Sequence, residues 1–329
     1  MTSYNIYRLK NLGLPALKDI DDLAAAVRLS PSKLSYFSYR ARYLYKVYEV
    51  SKKDGRKRVI AQPNRELKAV QAWILRSILD KLSTSPHSKG FDLGTSILEN
   101  AAPHQGANYV LNLDLENFFP SIKASKVFGV FRSVGYNKNV SNLLTNFCVF
   151  DGCLPQGAPT SPKLANLICA KLDARIHGYA GPKGIVYTRY ADDLTLSAQS
   201  AHKIEKARHF LGTIISSEDF KINKKKTKVC GTKRQKKVTG LVVSQSGIGI
   251  GRQKLRETRA KIHHLFTGKN QNYNHVNGML SFIYSVDKKS YGKLYRFIET
   301  MKIKYPDSPA YNKLHRKSIK SHQSVGRAS

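Results

Sequence analysis

Two adjacent aspartates interrupt a strand-like run, IVYTRYADDLTLSA (residues 185–198), and this stretch constrains the fold more than any other. Apolar and β-branched residues flank Asp192 and Asp193 on both sides. A strand cannot bury two neighbouring carboxylates without partners, because removing their charges from water is costly. The pattern therefore predicts a β-hairpin that turns at Ala191, Asp192 and Asp193 and lifts both carboxylates out of the sheet.

A third carboxylate lies on an earlier strand-like segment, YVLNLDLENFF (residues 109–119). Its period of two predicts a strand with Tyr109, Leu111, Leu113 and Leu115 on one face and Val110, Asn112, Asp114 and Glu116 on the other. Asp114 is thus expected on the polar face. Carboxylate oxygens suit Mg²⁺, and two such ions about 3.5 to 4 Å apart catalyse in-line displacement at phosphorus. Asp114 and Asp192 therefore predict a nucleotidyl-transfer site with two Mg²⁺ ions.

The remaining pattern predicts an α+β chain without internal repeats. In chain order we expect short tyrosine-rich helices over 1–45, a hairpin turning at Asp54-Gly55 and an amphipathic helix over 65–83. A helix over about 201–215, a hairpin within 238–251 and mainly helices are expected after these. Residues 161–176 predict one long helix with Ser161 as its N-cap. About the last 20 residues have the composition of a disordered tail.

The charge balance is strongly basic. The chain carries 56 Lys and Arg against 22 Asp and Glu, a net charge of +34, and from residue 221 onward 26 basic residues face four acidic ones. Such a balance predicts a polyanionic partner, with nucleic acid as the first candidate. No long apolar run or secretory signal pattern occurs, so we expect no membrane association and a cytoplasmic location. The four cysteines form no C-x-x-C pair, which favours buried thiols over a zinc site.

Three motifs in this order resemble those of reverse transcriptases: LDLENFFPSI (113–122), LPQGAPTSPKLANLI (154–168) and YADD (190–193). The resemblance extends over about 56–251 through RKRVIAQPNRELKAVQ, INKKKTKV and TGLVVSQSGIGIG. It implies a right-hand polymerase fold of the α+β class. Fingers are then expected over 1–105 and 123–165, a palm with an antiparallel sheet within 106–251, and a basic helical thumb over 252–329.

The family resemblance also assigns roles to the acidic residues. It implies that Asp114 and Asp192 bind the two metal ions and that the carbonyl of Leu115 is a further ligand. Asp193 is expected beside the metals, at the end of the primer. The enzyme would then be an RNA-directed DNA polymerase.

Further residues resemble those that bind the incoming deoxynucleoside triphosphate. Arg58 and Arg65 match the basic fingers residues, Gln156 matches a glutamine that contacts the nucleotide, and Lys226 matches a lysine that neutralises pyrophosphate. Phe119 lies where the family places an aromatic ring under the sugar, which would exclude ribonucleotides. Alternatives remain open for four of these roles. Arg65 could lie on a solvated basic face, and Pro-Gln-Gly could be a simple turn. Another lysine of the 224–226 run could neutralise pyrophosphate, and Phe118 could supply the ring under the sugar.

Two shorter elements resemble those of the bacterial retron branch: NAAPH (Asn100 to His104) and Val238-Thr239-Gly240. We expect both to recognise the shape of a folded RNA. The alternative interpretations are that Thr239-Gly240 opens a strand and that His104 is a satisfied surface histidine. In the segment 252–266, Arg252, Arg256 and Arg259 share a helical face, which predicts binding to the template–primer backbone.

The retron resemblance implies a cognate noncoding RNA as partner, of which part is copied into a branched RNA–DNA hybrid (msDNA) primed by the 2′-hydroxyl of an internal guanosine. It also implies phage defence with an effector protein. Because the four acidic residues after 251 lie in helical pattern, we expect a host RNase H to remove the RNA. The alternatives are an intron-encoded or a diversity-generating reverse transcriptase and, from another class, an inactive RNA-binding scaffold.

Overall fold

The computed structural model describes residues 5–51, 55 and 57–314. The chain divides into two compact units, Met1–Thr239 and Gly240–Ser329. This division falls before residue 251, where the sequence places the end of the palm. None of the helices described is long and apolar enough to cross a membrane.

The first unit begins with three short helices and a β-hairpin, as predicted. The helices are α1 (Ile6–Asn11), α2 (Ile20–Val27) and α3 (Pro31–Arg40), and the hairpin pairs β1 (Tyr45–Ser51) with β2 (Lys57–Pro63). Asp54 of the predicted turn lies outside the described residues.

The predicted amphipathic helix after the hairpin is confirmed as α4 (Arg65–Ser77). The Asn64 side chain caps it by accepting a hydrogen bond from the Leu67 amide at 2.8 Å. A 3₁₀ turn, Leu79–Lys81, follows, so the α-helix ends earlier than the pattern suggests. The apolar residues that recur at helical spacing through this segment are nevertheless buried: Leu67, Val70, Ile74, Ile78 and Leu82.

A four-stranded sheet with the order β4-β5-β3-β6 forms the centre of the first unit. Its strands are antiparallel: β3 (Tyr109–Asp114), β4 (Val186–Tyr190), β5 (Asp193–Ala198) and β6 (Lys228–Cys230). The face expected to carry Asp114 is largely buried, because Val110 is fully buried and Asp114 is 6% exposed, whereas Glu116 is exposed. Both faces of β3 are therefore largely covered, and Asp114 keeps only the small exposed surface that lines the cleft described below.

Helices surround this sheet. In chain order they are α5 (Ile97–Ala101), α6 (Phe118–Ser121), α7 (Ala124–Val134), α8 (Lys138–Cys148), α9 (Ser161–Ile168), α10 (Ala170–Ala180) and α11 (Ala201–Ser217), and the short strand β7 (Lys236–Val238) follows. Helix α11, which matches the helix expected over 201–215, packs against β3 and β5. The thiols of Cys148 and Cys169 are buried, and those of Cys153 and Cys230 are partly exposed.

The predicted single helix over 161–176 is two helices, α9 and α10, joined at Cys169, whose ψ is −4°. The predicted N-cap is also wrong: Thr160 flanks the helix and Ser161 is its first residue. Side chains on both sides of this break bond to the same group: Asn166 on α9 and Asp173 on α10 both bond to one buried arginine, described below.

The second unit has a hairpin, β8 (Leu241–Ser244) with β9 (Gly247–Gly249), and four helices among its described residues. These are α12 (Gly251–Phe266), α13 (Tyr273–Val286), α14 (Lys288–Lys304) and α15 (Ala310–Lys313). Side chains such as Ile262, Ile283 and Leu294 form a separate hydrophobic core. The hairpin and the helical region after it are confirmed. The predicted disordered tail lies outside the described residues from 315 onward.

Candidate active site

The turn between β4 and β5 presents the aspartate pair. Tyr190 pairs with Asp193, so the turn contains only Ala191 and Asp192, and Ala191 adopts φ 56°. Asp193 is the first residue of β5 and lies opposite Asp114 of β3. The predicted turn is therefore one residue too long, because Asp193 belongs to β5 and not to the turn. Asp192 sits at the tip of the turn, while Asp193 remains in the sheet beside the third carboxylate.

A buried arginine supports this turn from below. The guanidinium of Arg189 donates to both carboxylate oxygens of Asp173, at 2.8 Å each, and both side chains are fully buried. It also donates to the Ala191 carbonyl at 3.2 Å and to Asn166 Oδ1 at 3.1 Å. The left-handed backbone at Ala191 is unfavourable for a residue with a Cβ atom. The bond from Arg189 helps to hold that conformation and hence the position of Asp192.

Lys226 reaches the carboxylate on β3. Its Nζ lies 2.6 Å from Asp114 Oδ2, and this hydrogen bond raises the pKa of Lys226. The backbone ties the same region together, because the Leu115 amide donates to the Asp192 carbonyl at 2.9 Å. Of the three lysines in the 224–226 run, Lys226 is therefore the one bonded to an acidic residue of the predicted metal site.

Burial and mutual repulsion disfavour charge on the two adjacent aspartates. Desolvation, together with the charges of Asp192 and Asp114, raises the pKa of Asp193 to about 6. Desolvation also raises the pKa of Asp192. Among residues 5–51, 55 and 57–314, no three acidic, histidine or cysteine side chains converge as a metal-binding group. At this site the cation beside Asp114 is the ammonium of Lys226.

A cleft of about 790 Å³ opens over the turn. Its lining includes seven residues that the sequence predicted for the site: Arg58, Asp114, Leu115, Phe119, Gln156, Asp192 and Lys226. Two others lie elsewhere. Arg65 is the exposed first residue of α4 and does not line the cleft, and Asp193 lines a smaller recess of about 270 Å³ with Lys225 and Lys228.

The loop that carries Gln156 is held against the β1–β2 hairpin. The Ala61 amide on β2 donates to the Gln156 carbonyl at 2.8 Å. Gly157 has φ 123°, and a Cβ atom at this position would lie 3.0 Å from the Ala61 carbonyl oxygen. The close approach therefore requires glycine.

The two neighbouring phenylalanines differ in exposure. Phe118 is 4% exposed and packs against Phe220, with ring centres 6.0 Å apart. Phe119 is only partly buried. Both contribute to the cleft lining, but Phe119 has the more accessible ring.

The cleft residues that the sequence reasoning missed include Lys57, Lys68, Phe91 and Asn223. Phe91 is 43% exposed and has φ 69°, an unfavourable conformation for an aromatic residue. Buried polar bonds anchor the loop on both sides of it, from Asn166 Nδ2 to the Gly90 carbonyl at 2.6 Å and from Lys163 to Asp92 at 2.6 Å. Nothing in the local sequence GFDLG indicates this placement, since the anchoring residues lie more than 70 positions away.

The retron-like elements are brought together in the interior. Asn100, His104 and Val238 are fully buried, and Asn100 Nδ2 lies 3.4 Å from Thr239 Oγ1. His104 bonds to Ser197 Oγ at 2.7 Å and Thr188 Oγ1 at 2.8 Å, and desolvation lowers its pKa to about 4.

These placements correct the expectation of direct RNA binding by Asn100, His104 and Val238, because a fully buried side chain cannot reach a bound strand. His104 is a satisfied, neutral core histidine that joins β4 to β5. Thr239 is partly exposed and Gly240 is exposed, so direct RNA binding stays a prediction for those two.

In the second unit, α12 shows the predicted division into two faces. Arg252, Arg256 and Arg259 are exposed, whereas Ile262 and Phe266 are buried. The guanidinium of Arg259 lies 4.3 Å from the ring centre of Phe297.

Comparison with known proteins agrees with this geometry. Residues 50–243 match the family model described as reverse transcriptase (RNA-dependent DNA polymerase). The retron Ec86 reverse transcriptase of Escherichia coli is 57% identical over 93% of this chain and 96% of its own length. The retron Mx162 reverse transcriptase of Myxococcus xanthus is 35% identical over 85% of this chain and 66% of its own length.

Among solved structures, a telomerase from Candida albicans superimposes with a TM-score of 0.53 at 12% identity, covering 84% of this chain and 61% of the telomerase chain. This likeness concerns the fold. It shows the right-hand polymerase fold, to which the central antiparallel sheet belongs. The family match then places the chain in the RNA-directed DNA polymerase class. The chain belongs to the reverse transcriptase family and, by its relatives, to the bacterial retron branch. The predicted family, branch and fold class are confirmed.

Proposed function

We propose that this enzyme copies part of a cognate structured noncoding RNA into DNA that stays joined to the RNA as a branched hybrid (msDNA). Synthesis would start from the 2′-hydroxyl of an internal guanosine. The observation that carries the catalytic part is that Asp114 and Asp193 lie opposite each other at one end of the paired strands β3 and β5. Asp192 lies at the adjoining turn, and Asp114 and Asp192 line a large cleft together with basic side chains. The near full-length similarity to a retron reverse transcriptase supports the choice of product.

The site fits Mg²⁺, because its donors are carboxylate and carbonyl oxygens and the carboxylates repel one another. Asp114, Asp192 and the carbonyl of Leu115 would hold two ions, with Asp193 at the primer end. Bound there, the metal would activate the attacking hydroxyl and stabilise the charge that develops at phosphorus.

Basic side chains around the cleft would bind the triphosphate. Lys57, Arg58 and Lys68 line it from the fingers, where Arg can hold phosphate oxygens bidentately. Lys226, which bonds to Asp114 in this structure, would neutralise the leaving pyrophosphate. Gln156 would contact the incoming nucleotide. Arg65, which does not line the cleft, is a secondary candidate for binding the triphosphate.

Exclusion of ribonucleotides gives the first prediction. Phe119→Val removes the accessible ring proposed to lie beneath the sugar, so incorporation of ribonucleotides should rise relative to deoxyribonucleotides. The ratio of the two kcat/KM values on one template–primer measures the effect. If that ratio does not change, another residue, with Phe118 as the first alternative, excludes the 2′-hydroxyl.

The exposed arginines of α12 give the second prediction. Neutralising Arg252, Arg256 and Arg259 to glutamine should weaken template–primer binding, because fewer backbone phosphates are then neutralised by the protein. The slope of log affinity against log salt should decrease in size by roughly 0.7 to 0.9 for each phosphate that these arginines neutralise. Lys288, Lys289 and Lys293 on α14 are also exposed and provide a control with the same change of charge. Equal effects in both variants would show that only net charge matters.

The product itself tests the proposed priming. After co-expression with the cognate RNA and complete RNase digestion, the DNA should keep one guanosine joined through its 2′-oxygen, detectable by mass spectrometry. DNA with an unmodified 5′ end would contradict priming from a 2′-hydroxyl.

We further propose that a host RNase H removes the copied RNA and that an effector protein completes a phage-defence system, as expected from the retron branch.

A further inference from the structure

Three tyrosines project from one side of α3 and the 3₁₀ turn that follows it. Tyr36, Tyr39 and Tyr43 are 56%, 85% and 73% exposed, while Leu34 and Phe37 anchor the opposite side of the helix in the core. Their spacing places all three on roughly one face, about 10 Å long. Adjacent large aromatic rings exposed in this way indicate a binding surface rather than part of the folding core. We call these residues the tyrosine stripe.

Basic side chains lie among the rings of the tyrosine stripe. The Arg40 guanidinium is 5.6 Å from the ring centres of both Tyr39 and Tyr43. Residues 31–48 contain four basic residues, Lys33, Arg40, Arg42 and Lys46, and no acidic residue. Asp151 pairs with Arg42 at 3.1 Å and Glu66 pairs with Lys33 at 2.5 Å, so the local excess of positive charge comes mainly from Arg40 and Lys46.

A recess of about 790 Å³ adjoins the stripe and shares no lining residue with the catalytic cleft. Tyr36, Tyr39 and Arg42 form one wall, and Leu143 and Phe150 contribute apolar surface. Polar groups also line the recess, including Asn146, which donates to Ser38 Oγ at 3.0 Å. The lining also includes Asp151, whose carboxylate pairs with Arg42. A recess with mixed polar and apolar lining and an aromatic rim suits a planar, partly polar ring such as a nucleobase.

We propose that the tyrosine stripe and its recess bind a single-stranded segment of RNA outside the catalytic cleft. Unpaired bases stack on Tyr36, Tyr39 and Tyr43, and the phosphates lie near Arg40 and Lys46. Stacking on aromatic rings combined with a basic surface is the general chemistry of single-strand binding and does not depend on base sequence. This inference rests on the proposed function in one respect, since the RNA would be the same partner that supplies the template.

The test measures binding of a fluorescently labelled 12-nucleotide oligo(U) RNA by anisotropy, without Mg²⁺ or nucleotides. Replacing Tyr36, Tyr39 and Tyr43 by alanine should weaken binding by at least about tenfold, since each base stack contributes on the order of a tenfold or larger change in affinity. The salt slope should stay the same, because stacking releases no counterions. Replacement of all three by phenylalanine should keep wild-type affinity. Tyr7→Ala, at a tyrosine 78% exposed on α1, is the matched control and should change nothing.

Photocrosslinking locates the strand directly. The same RNA with 4-thiouridine should crosslink to residues 36–46 of the wild-type protein. Wild-type affinity of the triple alanine variant, or crosslinks found only elsewhere, would overturn the proposal. Unchanged RNA binding with loss of a co-purifying protein would assign the stripe to a protein partner and would equally overturn it. Because no catalysis is involved, an unbranched product would refute the proposed priming without affecting this result.

Discussion

Asp192→Asn should abolish DNA synthesis while RNA affinity stays within a few-fold of the wild type. Asparagine keeps the size of the side chain at the tip of the β4–β5 turn but removes the charge that would hold a metal ion. Metal stabilisation of the reacting phosphate contributes several kcal/mol, so the rate should fall by at least about a thousandfold. We propose that RNA binding depends on basic and aromatic side chains elsewhere, which the change leaves in place.

Primer extension with Mg²⁺ measures the loss of synthesis, and anisotropy with the same template–primer measures affinity. Asp219→Asn is a suitable control, since Asp219 is an exposed acidic residue of the first unit that pairs with Lys126 and does not line the cleft. It should retain synthesis. Parallel loss of synthesis and RNA binding in Asp192→Asn would contradict a role confined to the metals.

Arg189→Met should lower the free energy of unfolding of the first unit by about 3 to 5 kcal/mol. The change leaves the carboxylate of Asp173 fully buried without its cation, and a buried unpaired charge is strongly destabilising. It also removes the donor to the Ala191 carbonyl. A double variant, Arg189→Met with Asp173→Asn, should recover most of this stability, because both charges are gone and asparagine still accepts the bond from the Tyr187 hydroxyl.

Activity and stability should separate in that double variant. Its turn would still lack the Arg189 bond, so DNA synthesis should stay low although the fold is restored. Urea unfolding and primer extension on the three proteins measure the two quantities. A loss of less than about 1 kcal/mol in Arg189→Met would show that the ion pair is not the main support of this region, since an ordinary hydrogen bond contributes that much.

Buried His104 has a consequence for acid stability. Its pKa of about 4 in the fold lies below the ordinary value of about 6.5, so the unfolded chain binds the extra proton more readily between these values. This contribution to stability is complete above about pH 6.5 and is lost as the pH falls towards 4. Full burial and hydrogen bonds to Ser197 and Thr188 place this residue in the core of the sheet rather than on an RNA-binding surface.

Much of the catalytic site could be predicted from the sequence. Alternation with a period of two identified the strand of Asp114, and the polar interruption identified the hairpin of Asp192. These properties depend on neighbouring residues, because strand geometry repeats every two positions and a turn needs only a few residues. Helix α4 could also be predicted from the sequence, since its buried positions recur at helical spacing. The order of the motifs then indicated the family.

The tertiary structure decided which polar residues are buried and what they contact. In the sequence, Arg189 is one more strand residue and His104 one more polar position of a motif, yet both are fully buried. Asp173 lies 16 positions from Arg189, and Thr188 and Ser197 lie 84 and 93 positions from His104. Burial of such groups is favourable only when distant segments supply hydrogen-bond partners at the right distance. Local pattern therefore determined the strands, turns and helices, whereas long-range packing decided that Asp193 faces Asp114, that Phe91 reaches the cleft, and that the tyrosine stripe stays exposed.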